Sequence, residues 1–199
     1  MKIIGITGSS GSGKTTASQV LEKQAGISVI DCDKIAKNIS VPGNKYLEAI
    51  KTNLGEEFFF KDGNLNRKFL AEAIYNNKEK LDKLNSLTFK YVVEEVLENI
   101  QELGKSNKAE IIVIDAPLLF ESKLNEKCDY IISLIADRNL KIERICKRDS
   151  ISKEMAEKRL NIQKDNSYYI EKSDFVIYNN DENELIETLD KILKKIKGN

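Results

Sequence analysis

The chain has 199 residues, 41% of them apolar, enough for one domain with a substantial core, so disorder is excluded. Lysine plus arginine and aspartate plus glutamate each number 32; the net charge is zero, and no basic field points to a nucleic-acid or membrane partner. Histidine is absent, which removes the commonest general base and His-built metal sites, so catalysis must draw on carboxylates, lysines, arginines and a metal. The three cysteines, Cys32, Cys128 and Cys146, are too scattered for a disulfide framework or a zinc site and suit a reducing compartment. Met1-Lys2 leads directly into an apolar segment with no signal-peptide pattern, and no apolar run approaches the about 18 residues of a membrane span, so a cytoplasmic protein is expected.

In chain order, the apolar run Ile3-Ile4-Gly5-Ile6 predicts a strand. Gly8-Ser9-Ser10-Gly11-Ser12-Gly13-Lys14-Thr15 follows and fits the phosphate-loop pattern G-x-x-x-x-G-K-[ST]. In this pattern the glycines let the backbone curl so that successive N–H groups point at phosphate oxygens. Lys14 reaches the β and γ phosphates, the Thr15 hydroxyl ligates Mg²⁺, and the helix N-terminus adds partial positive charge. Ala17, Val20 and Leu21 continue a helix for which Gly26 is read as the stop. Ile27-Ser28-Val29-Ile30 is a second strand, running out into Asp31-Cys32-Asp33-Lys34. In a parallel α/β sheet the carboxyl ends of the strands face the ligand. Asp33 is therefore either a carboxylate serving the transferred phosphate, as base or metal partner, or the N-cap of the helix that follows.

Val41-Pro42-Gly43 breaks the chain, and from about 41 to 104 the pattern is mostly helical, far more than the dozen or so residues a crossover between parallel strands needs. A helical insertion is expected, with Asp62-Gly63-Asn64-Leu65-Asn66-Arg67 as a turn and helix start inside it. Ile111-Ile112-Val113-Ile114 is a buried strand ending in Asp115, the Walker B arrangement in which the carboxylate holds Mg²⁺ directly or through water. The apolar loop Ala116-Pro117-Leu118-Leu119-Phe120-Glu121 is expected to line a pocket or to pack under the insertion. Asp129 to Ile135 is a fourth strand. Arg144 and Arg148 share one face of the next helix, and Arg159 lies on another; they are read either as closing over a triphosphate or as an ordinary charged face. Phe175-Val176-Ile177-Tyr178 is a fifth strand, and Asn179-Asn180-Asp181-Glu182 is read as capping a last helix whose stripe runs from Leu185 to Ile196. Five strands alternating with helices give an α/β fold with a parallel sheet.

Taken together, these segments resemble the dephospho-CoA kinase family nearly end to end. The carriers are the phosphate loop, Asp31-Cys32-Asp33-Lys34-Ile35, Pro42-Gly43, Asp62 to Arg67, Leu84-Asn85, Pro117-Leu118-Leu119-Phe120-Glu121, Arg144 with Arg148-Asp149, Arg159 with Gln163, and Asp174 with Asn179. The resemblance implies a P-loop NTPase three-layer sandwich similar to nucleoside monophosphate kinases: core 1–40, 105–145 and 170–199, a helical CoA-binding insertion at about 41–104 and a lid at about 146–168. It further implies transfer of the ATP γ-phosphate to the ribose 3′-hydroxyl of dephospho-CoA. Gly11, Ser12, Gly13, Lys14, Thr15 and Thr16 would hold ATP, Asp33 would accept the proton, Arg67 and Pro117, Leu118, Leu119 and Phe120 would face dephospho-CoA, and Arg144 and Arg148 would serve the lid. The family's usual His-Pro pair is absent at Leu87-Thr88-Phe89, Asn66 replaces an aspartate, and the metal role of Asp115 rests on the physical argument alone. Uridine kinase-like enzymes share the loop's flavour and are the alternative; a GTPase is disfavoured by the lack of Asn-Lys-x-Asp. No nucleic-acid or membrane partner is expected, and a monomer or small homo-oligomer remains open.

Overall fold

The computed structural model describes residues 1–75, 77–106 and 109–198, with the side chains of Tyr75, Glu182 and Asn183 outside the description. The strands are β1 (Lys2–Thr7), β2 (Ile27–Asp31), β3 (Ile111–Asp115), β4 (Tyr130–Ile135) and β5 (Phe175–Tyr178). Helices follow as α1 (Lys14–Glu22), α2 (Cys32–Asn38), α3 (Lys45–Leu54), α4 (Arg67–Tyr75), α5 (Lys78–Ser106), α6 (Arg138–Asp149), α7 (Lys153–Asn161), α8 (Asn166–Glu171) and α9 (Glu182–Gly198). The sheet runs β2-β3-β1-β4-β5, so the strand that feeds the phosphate loop lies in the middle. β1 pairs in parallel with β3 and β4, and Ile6 stands beside Asp115. The five-stranded parallel α/β sandwich read from the sequence is therefore the fold, and β1, buried on both sides, reads as a continuous apolar run for that reason.

The chain divides into two compact units, Met1–Ile30 with Leu103–Asn199, and Asp31–Glu102. In the first, Ile4, Ile6, Val113, Ile132, Leu134 and Ile177 of the sheet pack with Ala17 and Leu21 of α1 and with Leu185, Leu189, Leu193 and Ile196 of α9. On α9, Ile186 is 37% exposed at the margin of the apolar stripe. Gly26 lies beyond the end of α1, in the turn into β2, where its carbonyl accepts from the N–H groups of Glu110 and Ile111 at 2.8 and 3.1 Å.

The second unit begins at Asp31 and so includes α2 as well as the insertion expected from about 41. Two apolar stretches, Leu81 to Leu87 and Val92 to Ile100, form one helix of 29 residues, because nothing between them breaks the 3.6-residue period. Thr88, where the His-Pro pair is missing, sits inside that helix, bonded to the Leu84 carbonyl and to the Tyr46 hydroxyl at 2.8 Å each. The 62–67 segment forms the predicted turn. Asp62 accepts from the N–H of Asn64, Gly63 takes φ 82°, and Asn66 caps α4 through the Phe69 N–H.

Gly5 in β1 fixes how closely the loop after β3 packs. A Cβ there would stand 2.7 Å from Leu119 Cδ2 and 2.9 Å from Cys128 Sγ, and Leu119 is fully buried. Gly5→Ala is expected to destabilise the protein by about 1–3 kcal/mol, the usual cost of overpacking a filled core; a urea midpoint equal to wild type would show that Leu119 and Cys128 yield freely.

Candidate active site

The glycines of the phosphate loop take backbone angles closed to other residues, φ 78° at Gly11 and 98° at Gly13, and Gly13 is the N-cap of α1. Among the described residues the backbone N–H groups of Gly13, Lys14, Thr15 and Thr16 have no protein acceptor; the first N–H of the segment to find one is Ala17, on the Gly13 carbonyl. Four open donors at a helix N-terminus form an anion cradle, strengthened by the helix dipole. Thr15 is exposed there, whereas the Lys14 and Asp115 side chains keep 13% and 10% of their surface.

Asp115 reaches this loop from the end of β3. Lys14 Nζ donates to Asp115 Oδ1 at 3.1 Å and Ser18 Oγ to Oδ2 at 2.6 Å. Lysine and aspartate, 101 residues apart in the chain, thus form a largely desolvated pair beside the cradle. The carboxylate cancels part of the lysine's charge and holds its stem in place.

Side chains from the last third of the chain grip the loop one residue at a time. Lys141 Nζ donates to Ser9 Oγ at 3.2 Å and to Asn166 Oδ1 at 3.0 Å. Gln163 takes the Ser10 N–H on Oε1 and donates through Nε2 to Ser10 Oγ, both at 2.9 Å. Arg144 Nη1 donates to the carbonyls of Gly11, at 3.3 Å, and Asn179, at 2.9 Å, and Asn179 Nδ2 donates to the Ser12 carbonyl at 2.8 Å. Burial pushes the Lys141 ammonium below the ordinary lysine range, with Arg138 adding to the shift.

The dephospho-CoA kinase family model matches residues 2–184. The chain belongs to the dephospho-CoA kinase family. A relative named dephospho-CoA kinase from Fusobacterium nucleatum is 40% identical over 98% of this chain and 95% of its own. A solved dephospho-CoA kinase from Campylobacter jejuni is 32% identical, with a TM-score of 0.70 over 98% of both chains. A solved protein from Thermus thermophilus has a TM-score of 0.82 at 26% identity, over 98% and 97%. Membership makes the chain a kinase with ATP as phosphoryl donor.

Within this family frame the expected residues fall into groups. Gly11 to Thr16, Lys14, Asp115 and Arg144 come together in the first unit. Arg148 stands one turn beyond Arg144 on α6. It forks onto Asp149 at 2.8 and 2.9 Å, where the Arg159 guanidinium also lands; the two cations hold the Asp149 carboxyl down at about 2. After β3, the Pro117 carbonyl accepts from Thr7 Oγ1 at 3.3 Å, Leu118 is 50% exposed and Phe120 meets Tyr168 edge to face. Leu119, expected to face substrate, instead packs under β1.

Asp33 and Arg67 belong to the second unit, both exposed. Asp31, not Asp33, caps α2: its backbone is extended and its Oδ1 accepts the Lys34 N–H at 2.9 Å. Asp33 occupies the first turn, so capping does not explain it. Among the described residues the Arg67 guanidinium has no hydrogen-bond or ion-pair partner, while its backbone N–H donates to the Leu65 carbonyl at 3.0 Å. The sequence points to no role for Lys141, Ser18 or Asn166. Within Asn179 to Glu182, the stretch expected to cap α9, the cap is Asp181, which accepts the Glu184 N–H at 3.3 Å, whereas the Asn179 side chain turns to the phosphate loop. The one signal available was the recurrence of Gln163 and Asn179 among the family-like segments.

Lys14→Met is expected to cut turnover at least about 100-fold. Because it strands the Asp115 carboxylate, it should also lower stability by about 3 kcal/mol. Adding Asp115→Asn should recover most of the stability and none of the turnover, as read from chemical denaturation beside steady-state rates; equal denaturation midpoints for the single and double variants would dismiss the charge coupling.

Proposed function

We propose that this enzyme transfers the γ-phosphate of ATP to the ribose 3′-hydroxyl of dephospho-CoA, giving CoA and ADP, the last step of coenzyme A biosynthesis. The observation that carries this is the family match over residues 2–184 together with the open N–H cradle at Gly13 to Thr16 beside Lys14. In the reaction the 3′-oxygen forms its bond to the γ-phosphorus as the bond to the β-phosphate oxygen breaks, and the hydroxyl proton passes to Asp33. Its position in the first turn of α2, directly after the carboxyl end of β2, supports Asp33 as the base.

Lys14 follows the β and γ phosphates, and Arg144 and Arg148 neutralise charge that spreads onto the γ-phosphoryl group in a loose transition state. Arg67, whose guanidinium is unspent, and the Pro117, Leu118 and Phe120 surfaces bind dephospho-CoA, with Leu119 supporting them from beneath. Residues 41–104 serve as the CoA-binding part and 146–168 as the lid. Among the described residues no cluster of three His, Cys, Asp or Glu forms a metal cage. The oxygen-only set of Thr15 and Asp115 suits Mg²⁺, which keeps several waters and takes much of its shell from substrate phosphates. When bound, the ion would neutralise phosphate charge, held by Thr15 and by Asp115 directly or through water. Among the described residues no helix is long and apolar enough to cross a membrane. We place the enzyme in the cytoplasm, as a monomer or small homo-oligomer without a nucleic-acid partner.

ADP release from ATP and Mg²⁺ should be stimulated by dephospho-CoA and not by uridine or cytidine; stimulation by uridine alone would replace this reading with a uridine kinase. Asp33→Asn should reduce turnover by about 100-fold or more while leaving ATP affinity nearly intact. Wild-type turnover in that variant would remove Asp33 from the chemistry.

A further inference from the structure

Asn179, the residue immediately after β5, is 3% exposed, and its backbone continues the sheet through its N–H on the Ile135 carbonyl at 2.8 Å. Its side chain turns back to the phosphate loop and gives Nδ2 to the Ser12 carbonyl at 2.8 Å. Ser12 and Gly13 share a trans peptide, since the described chain has no cis bonds. A carbonyl drawn toward Asn179 therefore points the Gly13 N–H the opposite way, into the cradle. Gly13 is the first of the four N–H groups without a protein acceptor, so the direction of this peptide sets the edge of the anion site.

Two further observations tie Asn179 to this task. A Cβ at Gly13 would lie 1.8 Å from Asn179 Nδ2, so the amide fills the space that any side chain at position 13 would need. Arg144 Nη1 bridges the Asn179 carbonyl and the Gly11 carbonyl, fastening the same residue to the loop a second time. Among the described residues Asn179 Oδ1 and Ser12 Oγ, both buried, have no hydrogen-bond partner. Buried polar atoms are rarely left so. An apolar residue would fill the same space without an unmet oxygen, so what an asparagine contributes here is its donor.

We propose that Asn179 is a positioning residue for phosphoryl transfer: by holding the Ser12 carbonyl it aims the Gly13 N–H at the triphosphate of ATP. The proposal rests on the phosphate-loop reading of the nucleotide site and concerns the phosphates alone. This role requires no contact between Asn179 and the adenine or the acceptor. Its loss weakens every ligand that presents a phosphate chain to the loop, whether or not a base is attached.

The test is calorimetric binding of ADP and of inorganic tripolyphosphate, which has no base, to wild type, Asn179→Ala and the near-isosteric Asn179→Asp. Both variants should lose about tenfold in affinity for both ligands, the worth of one such hydrogen bond. The KM for ATP should rise in step while the KM for dephospho-CoA stays put. Loss of ADP affinity with tripolyphosphate binding unchanged would make Asn179 a reader of the base and overturn the proposal, as would wild-type affinity in Asn179→Asp. Failure of wild type to bind tripolyphosphate or ADP would strike the phosphate-loop reading itself. In unmutated protein, tripolyphosphate should shift and protect from exchange the Asn179 side-chain amide protons in NMR spectra. An unchanged Asn179 resonance in a protein that binds tripolyphosphate would overturn the proposal without recourse to any variant.

Discussion

A loop that binds phosphate with its backbone must aim several N–H groups at one centre, and the carbonyls of the same peptides are then forced outward. Buried carbonyls need partners. In this protein the partners of Gly11 and Ser12 are Arg144 and Asn179, and the side chains of Ser9 and Ser10 are held by Lys141 and Gln163. The cradle is thus the inner surface of a ring of hydrogen bonds whose outer members come from α6, α8 and the segments after α7 and β5. The central position of β1 delivers the loop to the sheet end where those elements converge.

Charge is arranged by the same logic. The Lys14 ammonium is held by Asp115, which in turn takes a second bond from Ser18. A lysine with a single carboxylate partner and neighbouring open N–H groups stays attractive to polyanions, and the second donor fixes the carboxylate's orientation. Farther along, Asp149 gathers Arg148 and Arg159 at one point. Such a fork removes like-charge repulsion between two guanidinium groups on successive helices.

Much of this was legible in the residues. A phosphate loop advertises itself because its chemistry is local: eight consecutive positions carry the turn, the lysine and the hydroxyl. The inner strands were legible for a similar reason, β3 most of all, since a strand buried on both faces reads as an unbroken apolar run; the edge strands β2 and β5, only partly buried, show shorter ones. What stayed hidden depends on distant placement. Asn179 looks the same in sequence whether it caps the next helix or reaches 167 residues back to Ser12, and Lys141 looks like any helical lysine until Ser9 and Asn166 meet it. Asp31 and Asp33 are equally good caps by type; the extended backbone at Asp31 decides between them. Leu119 reads as a pocket residue because the space it fills is made by a missing side chain at Gly5.

The 167-residue span between Ser12 and Asn179 also bears on how the protein is made. The phosphate loop leaves the ribosome early, yet a nascent chain without β5 has no donor for the Ser12 carbonyl and no anchor for the far end of Arg144. Closing so long a loop is entropically slow and comes late in folding. On the proposed role of Asn179, full affinity for nucleotide would belong to the finished domain, and bound ATP would stabilise the completed fold by mass action.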